Sequence, residues 1–181
     1  MSRKVNEDKL LELFFGNPQQ EFHLREAAKM AGFNPMTASK YLEGYAREGL
    51  LKKREERGHV LFQANLESRL FREKKRHHAI KRILLSGLLE HLEEELNHPE
   101  AIVLYGSMAK GENIKQSDMD LFVLGGQKKG IDLKRFERSL GMPIHLMACS
   151  RKEFDDLKRK NRELVNNILN GISLAGFVEA I

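Results

Sequence analysis

The sequence predicts an α+β protein of two domains joined by a helical linker. The first domain is expected to hold three short helices followed by a β-hairpin, and the second to be an α/β domain. Two observations predict this. Apolar residues recur at helical spacing in segments that end at glycines, and short apolar runs end at polar, glycine-containing turns. The predicted ranges are residues 1–65, 66–78 and 79–181.

The composition is that of a folded chain without long disordered tracts. Of the 181 residues, 41% are hydrophobic and 31% are charged. The single cysteine, Cys149, excludes an internal disulfide and is typical of a reducing compartment. No uncharged apolar run approaches the roughly 20 residues of a membrane-spanning helix, and the N-terminus has no apolar signal segment. A soluble, cytoplasmic protein with no membrane partner is expected.

The positive charge is unevenly placed along the chain. Residues 1–78 hold 16 Lys and Arg against 11 Asp and Glu, whereas residues 79–181 hold 15 of each. The net charge of +5 therefore belongs to the first part. A contact with a polyanion, if the protein makes one, is expected there.

Three helices are predicted in the first domain from their end signals. The first ends at Gly16 and the second at Gly32. The third begins with Asn34 as N-cap and Pro35 in the first helical position, where a missing N–H costs nothing, and it closes at Gly49. Two strands around a charged turn follow in "LLKKREERGHVLFQA".

Three short helices and a hairpin make the plan of a winged helix-turn-helix. The segment "FNPMTASKYLEGYAREGLLKKREERGHVLFQA" resembles the recognition helix and wing of winged-helix transcription regulators, except at Gly44–Tyr45, where a leucine is usual. The resemblance implies binding to double-stranded DNA, with the third helix in the major groove. The implied helix contacts are Asn34, Met36, Thr37, Ser39 and Lys40, and the implied phosphate contacts of the wing are Lys52, Lys53, Arg54 and Arg57.

A docking role is the alternative for this first domain. Acidic residues stand among the basic ones, and winged helices also serve as protein-interaction and dimerisation modules. A homodimer is therefore kept as a second expectation. The acidic residues concerned are Glu43, Glu48, Glu55 and Glu56.

The middle of the chain predicts two successive helices. A densely charged linker helix is expected from about Leu66 to His78, followed by an amphipathic helix whose leucines cover the second domain or pair two copies. Asn97 and Pro99 end it. The adjacent His77 and His78 point in different directions on a helix, so no metal site is expected there.

Chemistry is indicated in the stretch "YGSMAKGENIKQSDMD". "AIVLYG" predicts a buried strand ending at Gly106, and "SDMDLFVLG" predicts the start of a second strand. Asp118 and Asp120 are two residues apart, so on a strand both carboxylates project to one side, where they repel unless a cation lies between them. The turn at Gly106–Ser107 offers N–H groups and a hydroxyl to phosphate oxygens. The pattern is typical of phosphoryl or nucleotidyl transfer.

Written out, G-S-x₃-G-x₅-S-D-x-D resembles the signature of the nucleotidyltransferase superfamily that includes DNA polymerase beta. It is most similar to the minimal and the kanamycin-type nucleotidyltransferases, and this resemblance implies an α/β domain with a small mixed sheet. The resemblance implies transfer of a nucleoside monophosphate, commonly AMP from ATP, with Mg²⁺ as cofactor. The implied roles are triphosphate binding for Gly106 and Ser107, Mg²⁺ binding for Asp118 and Asp120, and support of the phosphates or the loop for Lys110 and Ser117.

The chain departs from this family at the third carboxylate. The matching segment, "MPIHLMACS", has His145 at that position, and a histidine can act as base or ligand but lacks the negative charge. Asp132, expected on a covering helix, is a poor substitute. The implied catalytic set is thus Asp118, Asp120 and His145. Two alternatives remain: a regulator whose second domain senses a nucleotide without turnover, and an antitoxin-like protein that modifies or masks a protein partner.

The C-terminal segment predicts a closing helix and an apolar end. Ser150 and Glu153 have the spacing of a capping box at its start. Cys149 is expected to be a small core residue, since no paired base is apparent.

Overall fold

The computed structural model describes residues 2–126 and 130–179, with side chains from Lys9 onward. The chain divides into two compact units, Met1–Lys75 and Arg76–Ile181. Helices and strands are mixed in both, so the predicted α+β class is confirmed. In the described part of the chain, no helix combines the length and the apolar character needed to cross a membrane.

Three helices open the first unit, as predicted. Local signals set their ends: Gly32 follows the second helix with a φ of 74°, and the Thr37 N–H donates to Asn34 Oδ1 at 2.8 Å at the start of the third. The helices are α1 (Ser2–Gly16), α2 (Leu24–Ala31) and α3 (Pro35–Arg47).

A three-stranded antiparallel sheet completes this unit, in the order β1-β3-β2. The predicted hairpin turns at Arg57 and Gly58, whose φ angles of 48° and 75° are those of a two-residue turn that matches strand twist. The strands are β1 (Phe22–His23), β2 (Leu51–Glu56) and β3 (His59–Ala64). β1 was not predicted: with two residues it shows no alternation, and it exists because Phe22 pairs with Phe62.

Aromatic and aliphatic side chains form the core of the first unit. Phe14 and Phe22 are fully buried and meet edge to face, with ring centroids 5.3 Å apart. Ala38 and Leu42 are fully buried on the inner face of α3, as the spacing predicts, and Tyr45 packs beside them half-buried.

The middle of the chain differs from the prediction. One helix, α4 (Arg69–Leu85), continues through the expected change at residue 78, and the break falls instead at Ser86 and Gly87 before α5 (Leu88–Glu95). Gly87 has a φ of 75°, and the Ser86 hydroxyl donates to the Ile83 carbonyl at 2.7 Å. Because Gly87 stands inside a helical apolar pattern, the pattern alone does not reveal the break. α5 ends near Asn97, as predicted.

A four-stranded mixed sheet forms the centre of the second unit, in the order β6-β5-β4-β7. β5 and β6 are parallel, and the other pairs are antiparallel. The strands are β4 (Ala101–Tyr105), β5 (Met119–Leu124), β6 (Ile144–Cys149) and β7 (Ile172–Gly176). The C-terminal segment was expected to be only an apolar end, but the structure shows that it forms the edge strand β7. It pairs with β4, a partner about 70 residues earlier in the chain that a local pattern does not indicate.

Four helices connect and cover these strands: α6 (Gly106–Lys110), α7 (Lys134–Leu140), α8 (Arg151–Lys160) and α9 (Arg162–Leu169). The capping box of Ser150 and Glu153 begins α8 as predicted, but the closing helix is two helices, divided at Asn161. Asp132 is not on a helix. It precedes α7 and accepts a hydrogen bond from the Lys134 N–H at 3.0 Å. Residues 127–129 of that predicted segment lie outside the described residues.

Apolar side chains bury both faces of the sheet. One face packs Ile102, Leu104 and Leu121 with residues of α4, α5 and α7. The other packs Val103 and Phe122 with α8 and α9. Cys149 is buried in this second layer, as expected.

Phe154 of α8 is expected to be a major source of stability in the second unit. It is fully buried, and its ring centroid lies 5.3 Å from that of Phe122. Phe154→Ala should lower the free energy of unfolding by about 3–5 kcal/mol, because it opens a large cavity. Phe177, which is 70% exposed, provides the matched control, and Phe177→Ala should change stability by no more than about 0.5 kcal/mol. Urea unfolding followed by circular dichroism measures both. Equal effects of the two substitutions would contradict the placement of Phe154 in the buried layer beside Phe122.

Candidate active site

Three chain segments meet at one end of the four-stranded sheet. β4 is antiparallel to β5, so its last residue, Tyr105, pairs with Asp120 near the start of β5. β5 is parallel to β6, and Asp120 pairs on its other side with His145 near the start of β6. The turn at Gly106, the Asp118 and Asp120 pair and His145 therefore lie together.

The two aspartates flank a buried residue. Met119 is 1% exposed in the core, whereas Asp118 is exposed and the Asp120 side chain is 29% exposed. β5 begins at Met119, so Asp118 stands one residue before the strand rather than on it. This alternation presents both carboxylates away from the core that holds Met119.

Gly106 brings the backbone against the Asp120 carboxylate. Its φ is 74°, and a Cβ at this position would lie 2.3 Å from Asp120 Oδ2. Both the left-handed backbone and the lack of space therefore require glycine. No other residue type would let the turn after β4 approach the carboxylate this closely.

The loop between α6 and β5 is closed by its own hydrogen bonds. The Glu112 N–H donates to the Ser107 carbonyl at 2.9 Å, and Gly111 takes the left-handed conformation that ends α6. The Ser117 hydroxyl accepts from the Ile114 N–H at 2.9 Å. Ser117 was expected to support either the phosphates or the loop, and this hydrogen bond supports the loop. Lys110 is exposed at the end of α6.

His145 contacts Asp120 directly. Its Nδ1 lies 3.4 Å from Asp120 Oδ1, and its side chain is 67% exposed. Within the described ranges, no three His, Cys, Asp or Glu side chains are grouped as a ready metal site. The donors at hand are carboxylate oxygens, which divalent cations such as Mg²⁺ prefer, and one imidazole nitrogen, which departs from the oxygen preference of Mg²⁺.

Tyr105 is a neighbour of the site that the sequence reasoning missed. Burial raises the pKa of its phenol, and the nearby Asp120 carboxylate raises that pKa further. Tyr105 lies on the same sheet face as Asp120 because the two are paired. Only its position directly before Gly106 marks it in the sequence, and that signal does not identify its partner.

In the first unit, some of the helix residues predicted to contact DNA are exposed, and others are half-buried or bonded within the protein. Met36 is 84% exposed, and Lys40 is also exposed. Thr37 and Ser39 are half-buried. Asn34 is exposed, but its side-chain oxygen caps α3.

Three of the predicted wing cations are paired with carboxylates. Lys52 lies 3.2 Å from Glu67, and Lys53 lies 2.8 Å from Glu43. The hydrogen bond with Glu43 raises the pKa of Lys53.

Arg54 is held by two carboxylates. It donates to both Glu21 oxygens, at 2.6 and 2.5 Å, and to Glu56 at 2.7 Å. The hydrogen bond from Arg54 lowers the pKa of Glu21. Arg57, exposed at the hairpin turn, makes no ion pair with any residue that the structure describes.

Comparison with known proteins finds a similar family for the part of the chain that holds this geometry. Residues 85–169 match the model of the nucleotidyltransferase domain family. This part of the chain, which holds Gly106, Asp118, Asp120 and His145, is therefore similar to nucleotidyltransferase domains. No curated protein matches the chain significantly.

Among solved structures, the chain matches a DNA-binding protein, Sso10a-2 from Sulfolobus solfataricus. The identity is 19%, and the match covers 52% of this chain and 95% of that one with a TM-score of 0.36.

Proposed function

We propose that the protein is a metal-dependent nucleotidyltransferase that transfers a nucleoside monophosphate from a nucleoside triphosphate, expected to be ATP, to an acceptor. The observation that carries the proposal is the meeting of Asp118 and Asp120 with the Gly106 turn at one sheet end of a nucleotidyltransferase domain. In the reaction, an acceptor oxygen forms a bond to the α-phosphorus and loses its proton, and the bond to pyrophosphate breaks.

The residues have separate roles in this proposal. Asp118 and Asp120 hold the metal ion, for which the family implies Mg²⁺. Gly106 and Ser107 receive the triphosphate where the backbone comes closest to Asp120, and Lys110 is available to its phosphates as an exposed cation. When bound, the metal neutralises phosphate charge and polarises the phosphoryl group.

The position of the radiolabel in ATP tests the reaction type. The full chain is incubated with a divalent metal and a cell lysate as source of acceptor, using ATP labelled at the α-phosphate or at the γ-phosphate. Nucleotidyl transfer attaches the α label and never the γ label to the acceptor. Loss of this labelling in an Asp118→Ala, Asp120→Ala double variant is expected. Labelling from the γ-phosphate alone would indicate a kinase, and undiminished α labelling by the double variant would exclude the assigned site.

We further propose that the first unit is a winged helix that binds double-stranded DNA. Its helix order and two-residue hairpin turn support this, as do exposed Met36 and Lys40 at α3. Because Lys52, Lys53 and Arg54 are engaged with carboxylates, Lys40 and Arg57 are the cations expected to contribute most to phosphate binding.

Replacing both of these cations should weaken DNA binding. In a Lys40→Ala, Arg57→Ala variant, the slope of log affinity against log salt should become less negative by about 2, since two phosphate contacts are lost. A Lys152→Ala, Arg159→Ala variant changes the same charge at exposed positions of α8 and should keep the slope. Fluorescence anisotropy with a labelled duplex at several salt concentrations measures it. Equal slopes in both variants would place the DNA contact elsewhere.

A DNA-binding regulator that senses a nucleotide without turnover is the second candidate. His145 favours it, because a residue without fixed negative charge stands where the family carries a third carboxylate. This candidate predicts ATP binding without α-label transfer, together with a change in duplex affinity when ATP is added.

A further inference from the structure

The donor set at the sheet end is mixed, with oxygen from Asp120 and nitrogen from His145. We propose that Asp120 and His145 are neighbouring ligands of one metal ion, and that the site selects a transition-metal ion such as Mn²⁺, Co²⁺ or Zn²⁺ over Mg²⁺. This inference rests on the proposed function and specifies the metal of the same site.

The distance between the two donors fits a shared ion. His145 Nδ1 and Asp120 Oδ1 are 3.4 Å apart. Two ligands at about 2.1 Å from one metal lie about 3.0 Å apart at a right angle and about 3.4 Å apart at the tetrahedral angle. The same contact is long for a hydrogen bond, because N–H···O distances of about 2.7–3.2 Å are usual. The pair is therefore spaced better for coordination than for a strong direct bond.

The backbone holds the two side chains in this relation. Asp120 and His145 are paired residues on parallel strands, so the register of β5 and β6 places them side by side on one face. A slip of the register between β5 and β6 would expose core residues. These are Met119, buried beside Asp120, and the neighbouring pair Leu121 and Leu146. Asp118, exposed and two residues earlier, can supply a further oxygen.

The chemistry of the donors determines which ion is favoured. Mg²⁺ takes oxygen ligands in octahedral geometry and gives up water reluctantly. Imidazole nitrogen is a preferred ligand of the later divalent metals. With His145 in place of a carboxylate, the site lacks negative charge that Mg²⁺ needs and has a donor that transition metals prefer.

Metal titrations of the full chain without nucleotide test the inference, using His145→Ala, His145→Asp and a control at exposed His77 (His77→Ala). Calorimetry with Mg²⁺ and Mn²⁺, and visible absorption with Co²⁺, report binding without reference to activity. Many sites favour later metals, so the measured quantity is the change in the ratio of affinities on mutation. His145→Ala should weaken Co²⁺ and Mn²⁺ binding by about 10-fold or more and leave Mg²⁺ binding nearly unchanged. His145→Asp should shift the preference toward Mg²⁺, and His77→Ala should change nothing.

The outcomes separate this inference from the proposed function. If His145→Ala leaves the Co²⁺ to Mg²⁺ ratio unchanged, or if the wild-type chain binds no metal, His145 is not a ligand and the inference is wrong. If α-label transfer then proceeds in Mg²⁺, the proposed function stands without it. Selective Co²⁺ binding that depends on His145, with no transfer in any metal, would support the inference and contradict the nucleotidyltransferase activity.

Discussion

An Asp120→Asn variant is expected to lose nucleotidyl transfer, with a fall in kcat of at least about 100-fold. The substitution keeps the shape of the side chain and removes its negative charge. Asp120 lies at the centre of the site, paired with Tyr105 on one side and with His145 on the other, and in contact with the Gly106 turn. The variant therefore removes the charge that is proposed to hold the metal and leaves the packing of the strand unchanged. Initial rates with α-labelled ATP measure the effect.

Asp132→Asn is the matched control for this charge change. Asp132 lies in the same unit, before α7, where its side-chain oxygen accepts a hydrogen bond that an asparagine oxygen can also accept. Full activity is expected in this variant. If Asp132→Asn were as inactive as Asp120→Asn, the third carboxylate would be Asp132, and the role given to the His145 position would have to be withdrawn.

Gly106→Ala is expected to cost most of the transfer activity while leaving the unit folded. The added methyl group would lie 2.3 Å from Asp120 Oδ2, so the carboxylate must move away from the turn. A side-chain end can move at small cost in stability, but in a catalytic site a displacement of about 1 Å is enough to lower the rate by about 100-fold. The left-handed backbone adds a destabilisation of about 1–2 kcal/mol. Rates with α-labelled ATP and urea unfolding separate the two effects.

Gly141→Ala measures by itself the cost of placing an alanine in the left-handed backbone conformation. Gly141 ends α7 with a φ of 73°, nearly the same as the 74° of Gly106, and a Cβ there meets no atom within 4 Å. The two variants should lose similar stability, and only Gly106→Ala should lose activity. A parallel loss of activity in both would mean that the strained backbone, and not the close approach to Asp120, accounts for the effect of Gly106→Ala.

Local signals in the sequence were sufficient for most of the helices and for the central strands. Asn34 caps α3, Gly32 ends α2, and Ser150 and Glu153 begin α8, as predicted. Each signal acts through hydrogen bonds or backbone angles within a few residues, so it is complete in the sequence itself. The run "AIVLY" likewise forms a strand buried on both faces.

The sequence analysis missed two strands, each of which depends on a distant partner. β1 exists through its pairing with β3, and β7 through its pairing with β4. A distant partner also engages one of the wing cations: Arg54, a predicted phosphate contact, donates hydrogen bonds to Glu21, 33 residues away. Charge counting along a sequence does not reveal such pairs, because they depend on which strands become neighbours.

The candidate site divides in the same way. The sequence by itself determined its components: a glycine turn after an apolar strand, two aspartates in alternation with a core residue, and a histidine on a later strand. Only the tertiary structure decided that Gly106 lies against Asp120, that His145 Nδ1 comes within 3.4 Å of it, and that Tyr105 belongs to the neighbourhood. The physical reason is that spacing along a chain sets the direction of side chains on one element, whereas distances between elements are set by sheet register and by the packing of both faces.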